Sequence, residues 1–135
     1  MPGIDECLSE AMSLPGARGA WLVDWNSGLA LGTAGESPVG DHETTAAETA
    51  ELARVAAEFD SFTTPGDSAG EEGPDGAPPV EDLIVTTRAG YHVLRFVRTS
   101  FDSSVFLHLW LDRETGNLAL ARIRLGDLAE RLVLG

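Results

Sequence analysis

Residues 105–112 constrain the fold most strongly, because this segment is apolar on both faces of a strand. Its apolar side chains alternate in the expected way, with Leu107, Leu109 and Leu111 on one side and Phe106 and Trp110 on the other. A strand that is apolar on both faces lies at the centre of a sheet and is covered from both sides. The sequence therefore predicts a sheet with helices packed on both of its faces.

Four further strands and three helices are predicted around this central strand. Two apolar runs flank the turn residues Asn26-Ser27-Gly28 and predict a β-hairpin. Helices are predicted where apolar residues recur at helical spacing. In chain order, the predicted elements are helix 3–13, strands 19–25 and 29–34, helix 43–62, strands 82–87, 91–99 and 105–112, and helix 118–132. The order α-β-β-α-β-β-β-α has no βαβ alternation, so it predicts an α+β fold with a five-stranded antiparallel sheet.

The segment 63–80 differs from the rest of the chain in composition. It contains four acidic residues, four prolines and four glycines, and it has no aromatic residue. Such a segment cannot bury enough apolar surface to offset the entropy of ordering it. Neither flank makes a complete domain, so the sequence predicts one domain over residues 1–135 with a mobile acidic loop at 63–80.

The charge composition excludes several classes of function. All nine basic residues are arginines, the acidic residues number 22, and the net charge is −13. Without lysine the chain cannot have a Walker P-loop, a Schiff-base lysine or a Ser-Lys dyad. A strongly acidic surface also argues against binding nucleic acid, because neutralising phosphates needs basic residues. One cysteine, no long apolar run and no signal-peptide pattern at the N-terminus predict a cytoplasmic protein that does not insert into membranes.

Residues that could carry catalysis or bind metal have simpler structural explanations. His42 is expected in a solvated loop, and His92 and His108 are expected to be structural residues on neighbouring strands, although a zinc pair is an alternative. The segment Asp102-Ser103-Ser104 could join a histidine in a triad, but a turn between strands explains these residue types equally well. Cys7 lies among acidic residues that raise a thiol pKa. We therefore expect no enzyme activity, no cofactor and no metal.

The helix 43–62 has three distinguishable stripes. They comprise an apolar stripe (Leu52, Val55, Ala56, Phe59 and Phe62), a polar stripe (Ala47, Glu51, Arg54 and Glu58), and an alanine stripe (Ala46, Ala50, Ala53 and Ala57). Small residues in a row allow a second helix to approach closely. The alternative is that alanine is simply the best helix former.

Two segments carry a resemblance to a known family. The hairpin sequence from Gly16 to Leu29 and the segment Leu111-Asp-Arg-Glu-Thr-Gly-Asn-Leu-Ala-Leu-Ala-Arg122 resemble, in order and spacing, the corresponding parts of the roadblock family. That family is named for the roadblock-type dynein light chain. The resemblance covers residues 3–62 and 81–133 and omits the acidic segment between them.

The resemblance implies a fold, a dimer and a class of partner. Roadblock domains place the second helix on one face of a five-stranded antiparallel sheet and the other two helices on the opposite face. Their homodimers pair second helices and third strands, which here would bring together Ala46, Ala50, Ala53, Ala57, Leu83, Ile84 and Val85. Bacterial members bind small Ras-like GTPases. The resemblance thus implies a non-enzymatic homodimeric regulator that binds such a GTPase, and we expect it to dock at Glu51, Arg54 and Glu58.

Two other functions stay open on the sequence alone. The chain could be a scaffold or assembly subunit that binds another roadblock-like protein or a sensor kinase. It could also be a small-molecule sensor, because sheets flanked by helices can enclose ligand pockets.

Overall fold

The computed structural model describes residues 3–62, 79–97 and 104–132. The elements, in chain order, are α1 (Ile4–Met12), β1 (Ala17–Asp24), β2 (Leu29–Gly35), α2 (His42–Glu58), a 3-10 helix (Asp60–Phe62), β3 (Asp82–Thr86), β4 (Gly90–Val97), β5 (Val105–Asp112) and α3 (Leu118–Arg131). The strands form one antiparallel sheet in the order β2-β1-β5-β4-β3. The predicted α+β class and element order are confirmed.

The central position predicted for residues 105–112 is also confirmed. Strand β5 pairs with β1 on one side and β4 on the other, and its residues are buried from Val105 to Leu111. Its three leucines pack with α1 and α3 in one core layer. Phe106 and Trp110 lie in a second layer on the opposite face, together with alanines of α2. This is the arrangement of helices that the resemblance implied.

The second helix is shorter than the predicted span 43–62. Asp41 caps its N-terminus by accepting a hydrogen bond from the backbone N–H of Glu43 at 3.0 Å, which satisfies one of the free donors there. The helix ends at Glu58 because Phe59 takes an extended backbone conformation with φ −71° and ψ 130°. A 3-10 helix over Asp60–Phe62 then continues the chain.

Several predictions concern residues outside the described ranges. Most of the predicted loop at 63–80, namely residues 63–78, lies there, as do Asp102 and Ser103 of the predicted turn. The single domain with a mobile loop therefore stays a prediction. Val80 is described and packs against the core layer beneath α2. Among the described helices, none has the length and apolar character needed to cross a bilayer.

Candidate functional site

A groove of about 520 Å³ opens between the β1–β2 turn and helix α2. The turn contributes residues 26–30 to its walls, and α2 contributes Glu43, Ala47, Ala50, Glu51 and Arg54. The predicted docking residues Glu51 and Arg54 are thus brought together at one concave site. Glu58, the third predicted docking residue, is exposed further along α2 and is not part of the groove wall.

The turn that forms one wall is specified by short-range hydrogen bonds. The Gly28 N–H donates to the Asp24 carbonyl oxygen at 2.8 Å, and the Asn26 N–H donates to Asp24 Oδ1 at 2.9 Å. Gly28 has φ +78°, a left-handed conformation that glycine adopts without the usual steric cost. A Cβ atom at this position would lie 3.9 Å from Ala47 Cα, so the turn lies close against α2. The Asn-Ser-Gly sequence therefore shapes the groove as well as the hairpin.

The wall formed by α2 carries charges of both signs. Glu43 and Glu51 are exposed, whereas Arg54 is partly buried. Arg54 has no hydrogen bond or ion pair to any residue in the described part of the chain. The groove therefore presents two solvated carboxylates and one guanidinium group that is free to bind an external group.

The alanine stripe of α2 faces the subunit's own sheet. Ala46, Ala50 and Ala53 are completely buried in the core layer that contains Trp21 and Trp110. Ala57 is partly buried and packs against the same layer. This placement corrects the expected orientation of the stripe, because the side chains contact bulky residues of the sheet within one chain. The homodimer itself stays a prediction.

The large side chains of the apolar stripe are exposed instead, whereas its Ala56 is buried. Leu52 and Phe59 are exposed, as is Phe62 in the following 3-10 helix. The rings of Phe59 and Phe62 lie with centroids 6.2 Å apart, so they form a local apolar cluster. On the edge strand β3, Ile84 and Val85 are exposed, whereas Leu83 is partly buried against the α2 layer. The chain thus has apolar surface on both elements that the resemblance assigns to a dimer interface.

Histidine and tryptophan side chains form a polar chain within the α2 layer. The Trp21 Nε1–H donates to His42 Nδ1 at 2.8 Å, so His42 Nε2 carries its proton and donates to the Gly35 carbonyl oxygen at 3.1 Å. His42 is the first residue of α2, and these two hydrogen bonds fix its side chain to the sheet. The prediction that His42 lies in a solvated loop is therefore wrong. The reason is that Trp21 is buried and its N–H needs an acceptor.

The other two histidines contact each other, as their neighbouring strands allow. His92 Nδ1 and His108 Nε2 lie 2.8 Å apart, and His108 stacks on Trp21 with centroids 4.5 Å apart. His108 Nδ1 is buried and has no partner among the described residues. Burial, and secondarily the nearby His92, lowers the pKa of His108 to about 3, and burial also lowers the pKa of His92. Both imidazoles are therefore neutral near pH 7.

Two further features bear on the chemistry of the described ranges, namely the Cys7 thiol and the grouping of possible metal ligands. Cys7 is buried, and this burial, together with the Glu10 carboxylate, raises the pKa of its thiol to about 11. A thiol with so high a pKa is a poor nucleophile. Across residues 3–62, 79–97 and 104–132, no three histidine, cysteine or acidic side chains converge as a metal site would require.

The part of the groove that the hairpin supplies was not predicted. Residues 26–28 were predicted as a turn and residues 29–30 as the start of a strand, because local signals do not reveal what a hairpin packs against. The small residues Gly28 and Ala47 were the available signal, since both permit close approach of backbone to backbone.

Comparisons with known proteins identify the fold. No protein-family model and no curated protein matches the sequence. A solved Roadblock/LC7 domain from Streptomyces avermitilis matches with a TM-score of 0.59 and 21% identity, covering 96% of this chain and 93% of that one. MglB from Myxococcus xanthus matches with a TM-score of 0.59 and 22% identity, covering 92% and 77% of the two chains.

A structure of MglB with a tetrameric arrangement also matches. Its TM-score is 0.66 at 20% identity, and the match covers 93% of this chain and 82% of that chain. The chain therefore has the roadblock fold, as the sequence resemblance implied.

Proposed function

We propose that this chain is a non-enzymatic, homodimeric regulator that binds a small Ras-like GTPase in the cytoplasm and modulates its nucleotide state. The observation that carries the proposal is the roadblock fold, which the chain shares with MglB over nearly its whole length. The partner class comes from the family resemblance. Because the sequence identity to MglB is only 20–22%, the docking site is proposed from the surface of this chain.

The groove between the β1–β2 turn and α2 is the proposed docking site. It is concave, it contains Glu51 and Arg54, and Glu58 extends the same polar stripe beyond it. Arg54 supports the proposal because a partly buried guanidinium group without an internal partner gains hydrogen bonds when a partner supplies an acceptor. The exposed carboxylates, within a chain of net charge −13, would attract a basic patch on the GTPase.

The proposed homodimer joins the β3 edges and the exposed apolar stripe of α2. Leu52 and Phe59 would provide the contact between helices in place of the buried alanines, and Ile84 and Val85 would be covered by the partner's strand. Burying exposed apolar surface is the main favourable term in such an association, and pairing also removes the free edge of β3. An isologous arrangement brings both elements into one interface.

The test of the function is a titration with the small GTPase encoded nearest to this gene. The GTPase is loaded with GDP or with a non-hydrolysable GTP analogue, and binding is measured by calorimetry. We expect saturable binding with a preference for one nucleotide state, and a changed rate of nucleotide hydrolysis or exchange. Absence of binding in both states, for every GTPase encoded nearby, would reject the proposal.

A scaffold role is the second candidate, and one observation favours it. MglB, which shares the fold, has been solved in a tetrameric arrangement. Light scattering over a range of concentrations separates the two functions. Assembly beyond a dimer, combined with no binding of a GTPase, would favour the scaffold.

A further inference from the structure

The sheet has two edge strands, β3 and β2. A partner strand is proposed above for the β3 edge, and none is proposed there for the β2 edge. Strand β2 pairs only with β1 among the described strands, so its other side is an open edge. Its sequence, Leu-Ala-Leu-Gly-Thr-Ala-Gly, contains no charged residue and no proline. Natural edge strands usually carry such residues because they block pairing with a further strand.

The exposed residues of β2 are Leu29, Leu31, Thr33 and Gly35, and the two leucines supply its apolar surface. Leu29 is 65% exposed and Leu31 is 47% exposed, whereas the alternate residues are partly covered. Helices α1 and α2 contact β2, no described strand pairs with its outer side, and the Gly35 carbonyl oxygen at its end accepts a hydrogen bond from His42. An exposed apolar edge without charged residues or proline is a site at which another strand can pair.

A local irregularity leaves Leu31 outside the pairing with β1. Ala30 pairs with Val23 and Gly32 pairs with Leu22, so the register shifts and Leu31 has no partner on β1. A bulge of this kind redirects the side chain of the extra residue. Leu31 is therefore an exposed apolar residue of the edge strand that does not pair with β1.

The open edge is continuous with the groove. Leu29 and Ala30, at the start of β2, line the groove together with Glu43 and Glu51 of α2. At the other end of β2, Glu36 is exposed beside the guanidinium group of Arg18 at 3.6 Å. Glu43 and Glu51 thus flank the groove end of the edge, whereas Glu36 at the other end is ion-paired with Arg18. A strand that fits this surface has apolar residues along the edge and a basic residue at the groove end.

We propose that the β2 edge binds an extended segment of the partner, which adds a sixth strand to the sheet and places a basic side chain in the groove between Glu43 and Glu51. The inference rests on the proposed function, because the segment belongs to the GTPase. Backbone hydrogen bonds would supply affinity in such strand addition, and the flanking charges would select the segment. The seven residues of β2 span about 23 Å, which suffices for a segment of five or six residues.

Amide hydrogen exchange of the complex with the GTPase is the direct test. Strand addition slows exchange of the outward-facing amides of Leu29–Gly35, because their N–H groups become hydrogen-bonded. We expect this protection in the complex and not in the free protein. Saturable binding without added protection anywhere in β2 would overturn the inference and leave the proposed function intact.

Two variants test the same edge by affinity. Leu31→Lys places a charge on the edge that repels a basic strand, and we expect it to raise Kd about tenfold or more. Ile123→Lys is the matched control, because Ile123 is a 63% exposed residue on α3, which packs on the opposite face of the sheet. We expect the control to change Kd by less than about twofold.

The outcomes separate the two proposals. If the wild-type protein binds no GTPase, the proposed function fails and the edge inference fails with it. If the wild type binds but Leu31→Lys and Ile123→Lys bind equally well, the edge inference alone fails. Circular dichroism of both variants checks that the fold is retained.

Discussion

The small and the large apolar side chains of α2 and of Phe59, which follows it, occupy opposite environments. Ala46, Ala50 and Ala53 are at most 1% exposed, whereas Leu52 and Phe59 are 43% and 52% exposed. The smaller side chains thus lie inside and the larger ones outside. A ranking of residues by hydrophobicity alone would have placed the two stripes the other way round.

The reason lies on the sheet beneath the helix. The sheet face under α2 carries Trp21, Phe106 and Trp110, which already fill the space between the two layers. Because protein interiors are close-packed, large residues on one surface require small ones on the other. Size complementarity, and not the apolar character of a stripe, selects the buried face of this helix. The larger side chains are then left on the exposed side of the segment.

Replacing a buried alanine should have the largest effect. Ala50→Arg forces a charge and a long side chain into the core layer, and we expect a loss of about 3–5 kcal/mol in the free energy of unfolding. Glu48→Arg is the control, because Glu48 lies on the exposed side of the same helix and does not line the groove. Urea unfolding followed by circular dichroism measures both. An Ala50→Arg protein that is as stable as wild type but fails to dimerise would assign the alanine stripe to the interface after all.

Replacing an exposed residue of the other stripe should affect association and not folding. We expect Leu52→Arg or Phe59→Arg to keep the wild-type circular dichroism spectrum. Light scattering should give a mass near the 14.3 kDa of one chain, instead of twice that value for the wild type. Ile123→Arg, on the opposite layer, should remain dimeric. If the Leu52 and Phe59 variants dimerise with unchanged affinity, the helix contact is not part of the interface.

The buried imidazole of His108 also predicts that the free energy of unfolding depends on pH. The folded state lowers the pKa of His108 from 6.5 to about 3, so the unfolded chain binds more protons between these values. The contribution of His108 is fully present above pH 6.5 and is lost as the pH falls towards 3. The expected slope from this group is at most about 1.4 kcal/mol per pH unit.

A variant isolates that contribution from those of the carboxyl groups. Urea unfolding of the wild type and of His108→Phe is compared at pH 7 and pH 5. The wild type should lose more stability than the variant over this interval. Equal losses would mean that His108 is charged in the folded protein or that its pKa is not lowered.

The polar stripe of α2 should give the smallest effect. If association with the GTPase is steered by Glu51 and Glu58, the association rate falls as salt rises, because exposed charges are screened beyond about 8 Å at physiological ionic strength. Glu51→Gln with Glu58→Gln should lower the rate a few-fold and flatten its salt dependence. Stopped-flow mixing measures both quantities. Binding by the wild type that is insensitive to salt would exclude steering by these carboxylates.

Several features of the fold could be predicted because they are recorded locally in the chain. The alternation in residues 105–112 predicted the central strand, and the Asn-Ser-Gly turn predicted the β1–β2 hairpin. The end of α2 at Glu58 could not be predicted, since the helical pattern continues to Phe62 while the backbone at Phe59 is extended. For the candidate site, the sequence predicted Glu51 and Arg54 of the α2 wall and no residue of the hairpin wall.

The sequence alone predicted the number, type and order of the α-helices and strands, and the need for helices on both faces of the sheet. It did so because periods of two and of about 3.6 residues are properties of neighbouring positions. Three contacts became known only from the tertiary structure. The alanines of α2 face Trp21 and Trp110, and His42 accepts a hydrogen bond from Trp21. The hairpin turn and α2 enclose a groove. These contacts join residues distant in sequence, and they depend on the size and polarity of both partners, which no local pattern contains.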